Sequence, residues 1–183
     1  MSNTFYREKL NSQIKDAFGK VVYTYTAHHE MVDRIRKNKK RIDISQIALT
    51  AVSTVGFLAT VITDEVVLSW IGGITAAVSL GLNLYTKDNN LQEDIRMHES
   101  AANELWVVRE KYVSLLTDFV VLPDEEISIR RDAIQEMVAE INNKYPGTDK
   151  KSYEEAQKAL KDNDEQTFSK GEIEKLLPQG LRN

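Results

Sequence analysis

The sequence predicts an all-α membrane protein, in which a two-helix transmembrane hairpin adjoins a cytoplasmic helical bundle. Two uncharged, largely apolar runs, residues 44–63 and 66–86, lie back to back in a chain whose residues are 28% charged. About 20 helical residues span about 30 Å, which is the hydrocarbon thickness of a bilayer. Only Asp64-Glu65 separates the runs. Because so short a link permits only a tight reversal, we expect the two helices to be antiparallel.

A buried hairpin inside a soluble helical bundle is the alternative interpretation, since Ser, Thr and Gly dilute both runs. A soluble helix of this length normally turns a charged face to solvent, however, and neither run contains a charge. Membrane insertion is therefore the favoured interpretation. The absence of ionisable side chains from both runs also argues against a proton relay or a voltage sensor.

The charges beside the two runs predict their orientation. Cations cluster before the first run, Lys87 follows the second, and the link between them is acidic. Cationic residues are retained on the cytoplasmic side, so we expect both termini in the cytoplasm and the link outside. Nucleic-acid binding is the rival interpretation, but cations that abut a membrane span more commonly set topology and contact lipid headgroups. The candidate lipid-contacting residues are Arg34, Arg36, Lys37, Lys39, Lys40 and Arg41.

Residues 1–41 are predicted to form a cytoplasmic amphipathic helix that leads into a hairpin at residues 42–86. Apolar residues of the first segment recur mostly at steps of three or four. They are Phe5, Leu10, Ile14, Phe18, Val21, Tyr25, Val32 and Ile35. No proline precedes Pro123, so this helix can run nearly continuously into the first span.

Residues 87–145 are predicted to contain a long helix and then an amphipathic helix. A heptad seam with two polar interruptions predicts that the long helix packs against the N-terminal helix. The seam comprises Leu91, His98, Leu105, Tyr112 and Phe119, interleaved with Ile95, Ala102, Arg109 and Leu116. Pro123 breaks this pattern, and the next apolar face ends before Pro146. That face comprises Ile127, Ala133, Ile134, Met137, Val138 and Ile141.

Residues 146–183 are predicted to form short C-terminal helices and a tail. Ser152 with Glu155, and Ser169 with Glu172, have the spacing of two capping boxes. Each pair predicts the beginning of a helix.

Two stripes of side chains in the hairpin are the candidate functional residues. If Thr63 lies opposite Val66, polar residues of the two spans come level with one another. The three polar residues of each span are four residues apart, so they lie on one face of their helix. Small residues on the second span would let helices approach closely. The polar stripe either lines a path or bonds within the hairpin, where Ser and Thr hydroxyls can reach the carbonyl four residues earlier. The candidate pore-lining residues are Gln46, Thr50, Thr54, Thr75, Ser79 and Asn83, and the candidate packing residues are Gly73, Ala77 and Gly81.

Nothing in the sequence predicts catalysis, a metal site or a cofactor. The chain has no cysteine, which excludes disulfides and thiolate metal ligands. His28 and His29 are adjacent, so on a helix they point about 100° apart and cannot readily chelate one ion. His98 falls in the heptad seam, and Gly72-Gly73 lies inside a span rather than in a phosphate-binding loop. We therefore expect a protein that is not an enzyme.

The chain resembles the SLATT family, the SMODS and SLOG-associating two-transmembrane effector domains. The resemblance covers about residues 15–165 and rests on architecture and local sequence rather than on a catalytic motif. A basic helix containing the segment 28–34 (HHEMVDR) leads into two adjoining spans. The segments 98–106 (HESAANELW) and 153–160 (YEEAQKAL) follow.

The resemblance implies an effector of bacterial antiviral defence. Such a protein is expected to form homo-oligomers in the inner membrane and permeabilise it when triggered, so that the cell dies or arrests in an abortive infection. The trigger implied is a nucleotide messenger or an operon-encoded protein, and the family supplies no catalytic residue. The alternative is a membrane-anchored helical adaptor that recruits a partner protein without forming a pore. The polar stripe distinguishes the pore-forming effector from the anchored adaptor, because a hairpin that only anchors the protein needs no polar stripe.

Overall fold

The computed structural model describes residues 2–63 and 66–176, and these residues form six helices and no strand. The link Asp64-Glu65 lies outside the described residues. The helices are α1 (Ser2–Thr63), α2 (Val66–Asp88), α3 (Leu91–Asp118), α4 (Asp124–Lys144), α5 (Lys150–Lys161) and α6 (Glu172–Leu176). The all-α prediction is confirmed.

A single helix of 62 residues, α1, joins the N-terminal segment to the first span. At 1.5 Å per residue it is about 93 Å long. The sequence boundary between residues 41 and 42 therefore does not interrupt the backbone, as the absence of proline had suggested. The N-terminal part of α1 packs against α3, α4 and α5, and its C-terminal part packs against α2.

Two asparagines separate α2 from α3. The carbonyl of Tyr85 at the end of α2 accepts from both the backbone N–H of Asn89, at 3.1 Å, and the side-chain amide of Asn89, at 3.0 Å. The side chain of Asn90 then caps α3 by accepting from the backbone N–H of Glu93 at 3.2 Å. Together, α2 and α3 form an interrupted antiparallel partner for α1.

The core outside the hairpin lies among α1, α3 and α4. Its buried apolar residues are Leu10, Ile14 and Val21 from α1, Leu105, Val108, Tyr112, Leu115 and Phe119 from α3 and its C-terminal turn, and Ile127, Ile134 and Ile141 from α4. The predicted packing of the long helix against the N-terminal helix is confirmed.

The predicted second stripe of the heptad seam is only partly covered in its distal half. Arg109 and Leu116 are half-buried, although Leu116 still packs against the core, whereas Val108 and Leu115 are buried. This half of α3 is also the part beside which α4 packs. Phe5 and Ala133 were also expected on apolar faces, but both are exposed.

Arg7 closes the end of the bundle distal to the hairpin. Its guanidinium donates to the backbone carbonyls of Phe119 and Leu122 and pairs with Asp124 at the start of α4. Carbonyls at a helix end lack partners within the helix, so one cation satisfies the end of α3 and fixes the turn into α4.

The helix α5 lies across α1 and is held by small residues and by one arginine. Ser152, Ala156 and Ala159 are buried, which permits close approach. Arg34 pairs with Asp149 and lies 3.5 Å from Glu155. The guanidinium, together with the backbone N–H of Ser152, lowers the pKa of Asp149 below its ordinary value.

The first predicted capping box is wrong. Asp149, not Ser152, is the N-cap of α5, and it accepts from the N–H of Ser152 at 2.8 Å. The helix therefore begins one turn earlier than expected, and Ser152 becomes a buried contact. At the second box, Glu172 accepts from the N–H of Ser169 at 2.8 Å, as a capping box requires.

A buried histidine pair joins α1 to α3. The Nδ1 atoms of His28 and His98 lie 2.8 Å apart, so one must carry the hydrogen and the other must accept it. Burial, followed by the neighbouring His98 and His29, lowers the pKa of His28 to about 4. Burial also lowers the pKa of His98, which Asp94 and Asp149 partly oppose. Among the described residues no group of three potential metal ligands is present.

We expect acid to destabilise the bundle through this pair. Between pH 6.5 and about 4, the unfolded histidines bind protons that the folded His28 does not. Stability is therefore full above pH 6.5 and falls on acidification, by up to about 1.4 kcal/mol per pH unit for each histidine. The measurement is the unfolding midpoint of the detergent-solubilised protein at pH 7 and pH 5.

The double variant His28→Asn/His98→Asn should lose most of this pH dependence. The control is His29→Asn, which replaces an exposed ring whose pKa burial also lowers, so it should lose a smaller part of the pH dependence. An equal loss of pH dependence in the control would contradict the role assigned to the pair.

Candidate functional site in the membrane hairpin

The two helices of the hairpin touch through small residues at backbone distance. A Cβ added to Gly56 would lie 3.1 Å from the carbonyl oxygen of Leu68 and 3.2 Å from the Cα of Gly72. The hydroxyl of Ser53 donates to the carbonyl of Gly72 at 3.0 Å. This geometry is the close approach that small residues permit between helices in a bilayer.

A second contact places Thr60 against Ser69, with their hydroxyls 3.1 Å apart. It matches the expected antiparallel register, in which Thr63 lies opposite Val66. None of these contact residues was among the candidates from the sequence. The signal was present, however, because small residues recur at steps of three and four at Ser53, Gly56 and Thr60 and again at Ser69, Gly72, Ala76 and Ser79.

The threonines of the polar stripe bond to their own helices. Thr50 donates to the carbonyl of Gln46 at 2.8 Å, and Thr54 donates to that of Thr50 at 2.8 Å. Thr75 lies 2.9 Å from the carbonyl of Ile71. Each hydroxyl hydrogen is thereby satisfied, while the oxygen retains the capacity to accept from water.

Four of the six polar candidates come together along one edge of the hairpin. Thr50, Thr54, Ser79 and Asn83 line an open groove of about 230 Å³. Ser79 is buried and also belongs to the contact between the helices, whereas Thr50, Thr54 and Asn83 are exposed.

The other two polar candidates do not line this groove. The side chain of Gln46 reaches Thr86 at 3.4 Å, and Thr75 lies beyond the groove on α2. The groove is uncharged and can offer oxygen and amide groups to water, but it has no group that could transfer a proton.

The predicted packing stripe lies on an open side of α2. A Cβ added to Gly73 or to Gly81 would meet no heavy atom within 4 Å, and Ala77 is exposed. The hairpin therefore closes through Gly56 and Gly72, and among the described residues the Gly73/Ala77/Gly81 face remains open.

The rest of the hairpin surface is apolar and faces outward. Both helices contain a window long and apolar enough to cross a membrane, and only 6% and 11% of the residues in these windows are buried. The core helix of a soluble bundle would be mostly buried, so these values favour the membrane interpretation. The largest exposed apolar side chains include Ile47, Val55, Val61, Ile62, Val66 and Trp70.

The basic cluster before the first span divides into two groups. Arg34 pairs with Asp149, Arg36 with Glu99, and Lys39 with Asp43 at 2.8 Å. In the part of the chain that the structure describes, Lys37, Lys40 and Arg41 form no ion pair of this kind. Their predicted contact with lipid headgroups stays a prediction.

An outward-facing apolar hairpin beneath a helical bundle defines a two-span, all-α membrane protein. Over residues 10–172 the chain matches the SMODS and SLOG-associating 2TM effector domain family 4, and it belongs to that family. The match runs from α1 to the first residue of α6 and so includes the hairpin. The chain is thus an effector-domain protein of a family associated with defence systems. No curated protein and no solved structure matches it.

The two adjacent glycines of α2 should respond differently to the same substitution. In Gly72→Leu the new side chain has no space against the backbone of Ser53, so the hairpin should lose about 1–3 kcal/mol of stability. In Gly73→Leu it points into open space, so the stability of the monomer should change little. Unfolding of each variant in mild detergent by added denaturing detergent measures the difference. Equal destabilisation by both variants would contradict this assignment of faces.

Proposed function

We propose that the protein is a membrane-permeabilising, pore-forming effector of a bacterial antiviral defence system. It acts in the inner membrane as a homo-oligomer and causes death or arrest of the infected cell when it is triggered. The observation that carries the proposal is that the hairpin uses only part of its small and polar surface for its own packing. One set of small residues closes the hairpin, and a second small face and a polar edge remain open.

An aqueous path requires several copies of the chain, because two helices cannot surround one. In the proposed assembly, the open face at Gly73, Ala77 and Gly81 packs against a neighbouring chain. The groove at Thr50, Thr54 and Asn83 then contributes hydroxyls and an amide to the lining. The protein performs no catalysis in this mechanism, since the permeability itself produces the effect.

The cytoplasmic helices provide the route by which a trigger reaches the hairpin. Because α1 is unbroken from the cytoplasmic core to the first span, a rotation or tilt of its cytoplasmic part must also move the span. The trigger is a nucleotide messenger or an operon-encoded protein that changes the packing of α3, α4 or α5 against α1.

Toxicity should depend on the open face of α2. In Gly73→Leu a bulky side chain holds neighbouring backbones apart, so induced expression with the triggering genes should no longer depolarise the membrane. The variant should still insert and fold, because Gly73 has no contact inside the chain. A membrane-potential dye, together with crosslinking in membranes, measures both effects.

The polar groove gives a second, independent test in the same assay. Thr50→Val, Thr54→Val and Asn83→Leu together make the exposed part of the groove apolar while leaving the buried Ser79 intact. The triple variant should assemble but permeabilise the membrane less. If it and Gly73→Leu both kill as wild type does, these faces do not form the pore. A crosslinking pattern that stays monomeric in the triggered state would favour the membrane-anchored adaptor.

Both termini should lie in the cytoplasm and the link at residues 64–65 outside. The motivation is the cationic cluster at residues 34–41 set against an acidic link. Because the chain has no cysteine, single cysteines can be introduced without background. Glu65→Cys should react with an impermeant maleimide in intact spheroplasts, and Lys20→Cys should react only after lysis. The reverse labelling would overturn this topology.

A further inference from the structure

Three cations beside the hairpin remain available for a ligand after the protein's own carboxylates have been assigned. Arg34, Arg36 and Lys39 are held by carboxylates of α5, α3 and α1. Lys37, Lys40 and Arg41 are not in such a pair within the described residues, and Lys37 and Arg41 are exposed. The six cations at residues 34–41 thus form two sets: three that are paired with carboxylates and three that are available for a ligand. Their positions in the sequence alone do not separate the two sets.

The available cations share one face of α1. At 100° per residue, Lys37, Lys40 and Arg41 fall within an arc of about 100°. Glu99, which neutralises Arg36, lies on α3, and the partner of Lys39 is Asp43. Glu30 and Asp33 fall on the same arc, but they lie one to two helical turns before Lys37, on the side away from the apolar run, so the part of the face beside the membrane is positive.

The same face continues into the membrane as an apolar surface. Ile44 and Val55 fall within the same arc and are 57% and 64% exposed, and Ile47, which lies about 20° outside it, is 70% exposed. Ser53, whose side chain contacts α2, lies on the opposite side of α1. One uninterrupted strip of α1 thus carries positive charge at the membrane boundary and apolar side chains below it.

The start of α5 adds positive charge on this side. Arg34 holds Asp149, and Lys150 and Lys151 follow it directly and are exposed. Arg34 precedes Lys37 by one helical turn, so the ion pair brings the first turn of α5 toward the available cations.

We propose that this strip binds an anionic phospholipid of the cytoplasmic leaflet. The lipid phosphate contacts Lys37, Lys40 and Arg41, and an acyl chain lies along Ile44, Ile47 and Val55. A zwitterionic lipid carries no net charge to match the cations and binds more weakly. The apolar continuation selects a lipid over a soluble phosphate, which would have no use for it.

The test compares charge variants of the purified full-length protein in a neutral detergent. The triple variant Lys37→Gln/Lys40→Gln/Arg41→Gln removes the site and keeps the side-chain stems. The control Lys15→Gln/Lys111→Gln/Lys161→Gln removes the same charge from exposed positions of the cytoplasmic helices. Circular dichroism first establishes that both variants retain the helical content of the wild type.

Phosphatidylglycerol should raise the unfolding midpoint of the wild type and of the control by about 3–6 °C. Phosphatidylcholine should raise it much less, and the site variant should lose at least half of the difference. Glycerol phosphate, which is the headgroup without chains, should have little effect on any form.

Equal responses of the site variant and the control would overturn the proposal, as would equal effects of the two lipids on the wild type. An effect of glycerol phosphate as large as that of the lipid would show a soluble-anion site instead. The readout is lipid binding by the resting protein. A negative result therefore does not contradict the proposed pore, and a negative result in the membrane-potential assay does not contradict the lipid site.

Discussion

The rest of the structure depends on the continuity of α1. Every other helix except α6 packs against this one element, α3, α4 and α5 along its N-terminal part and α2 along its membrane part. An isolated helix of this length would expose an apolar face in water, so the helices α3, α4 and α5 are required to cover it. The bilayer covers the remainder. The chain therefore has one packed region in water and another in the bilayer, and the backbone of α1 connects the two.

Small residues in the hairpin have two different environments, and the difference follows from helical phase. Gly72 and Gly73 are adjacent in sequence but point about 100° apart, so one meets the backbone of Ser53 and the other meets no atom within 4 Å. In a bilayer, apolar side chains gain little from leaving lipid for a helix interface, so close backbone packing supplies much of the association energy. A glycine without a contact has therefore the geometry of an unused association surface.

The sequence was sufficient for the features that depend on period and length. The charge-free runs predicted the hairpin, the lack of proline predicted a continuous α1, and the seam from His98 to Phe119 predicted its packing partner. The sequence was insufficient to decide which of two adjacent positions of α3 is buried. The pattern chosen for α3 placed Arg109 and Leu116 in the seam, whereas Val108 and Leu115, which lie three residues after Leu105 and Tyr112, are the buried residues. The search for small residues at every fourth position selected Gly73. It missed the alternating steps of three and four that mark the observed contact at Gly56 and Gly72.

The charges show the same dependence on tertiary structure. Six cations in eight residues read as one basic cluster, yet three of them hold protein carboxylates that come from sites up to 121 residues away. Arg34 is the clearest case, because it fixes the start of α5 at the point where α1 approaches the membrane. A guanidinium that satisfies two carboxylates has little left to offer a headgroup, whereas Lys37, one turn further, is exposed to the solvent. The position of α5 therefore decides whether Arg34 is paired, so a displacement of α5 would free this cation as well as change the packing of α1.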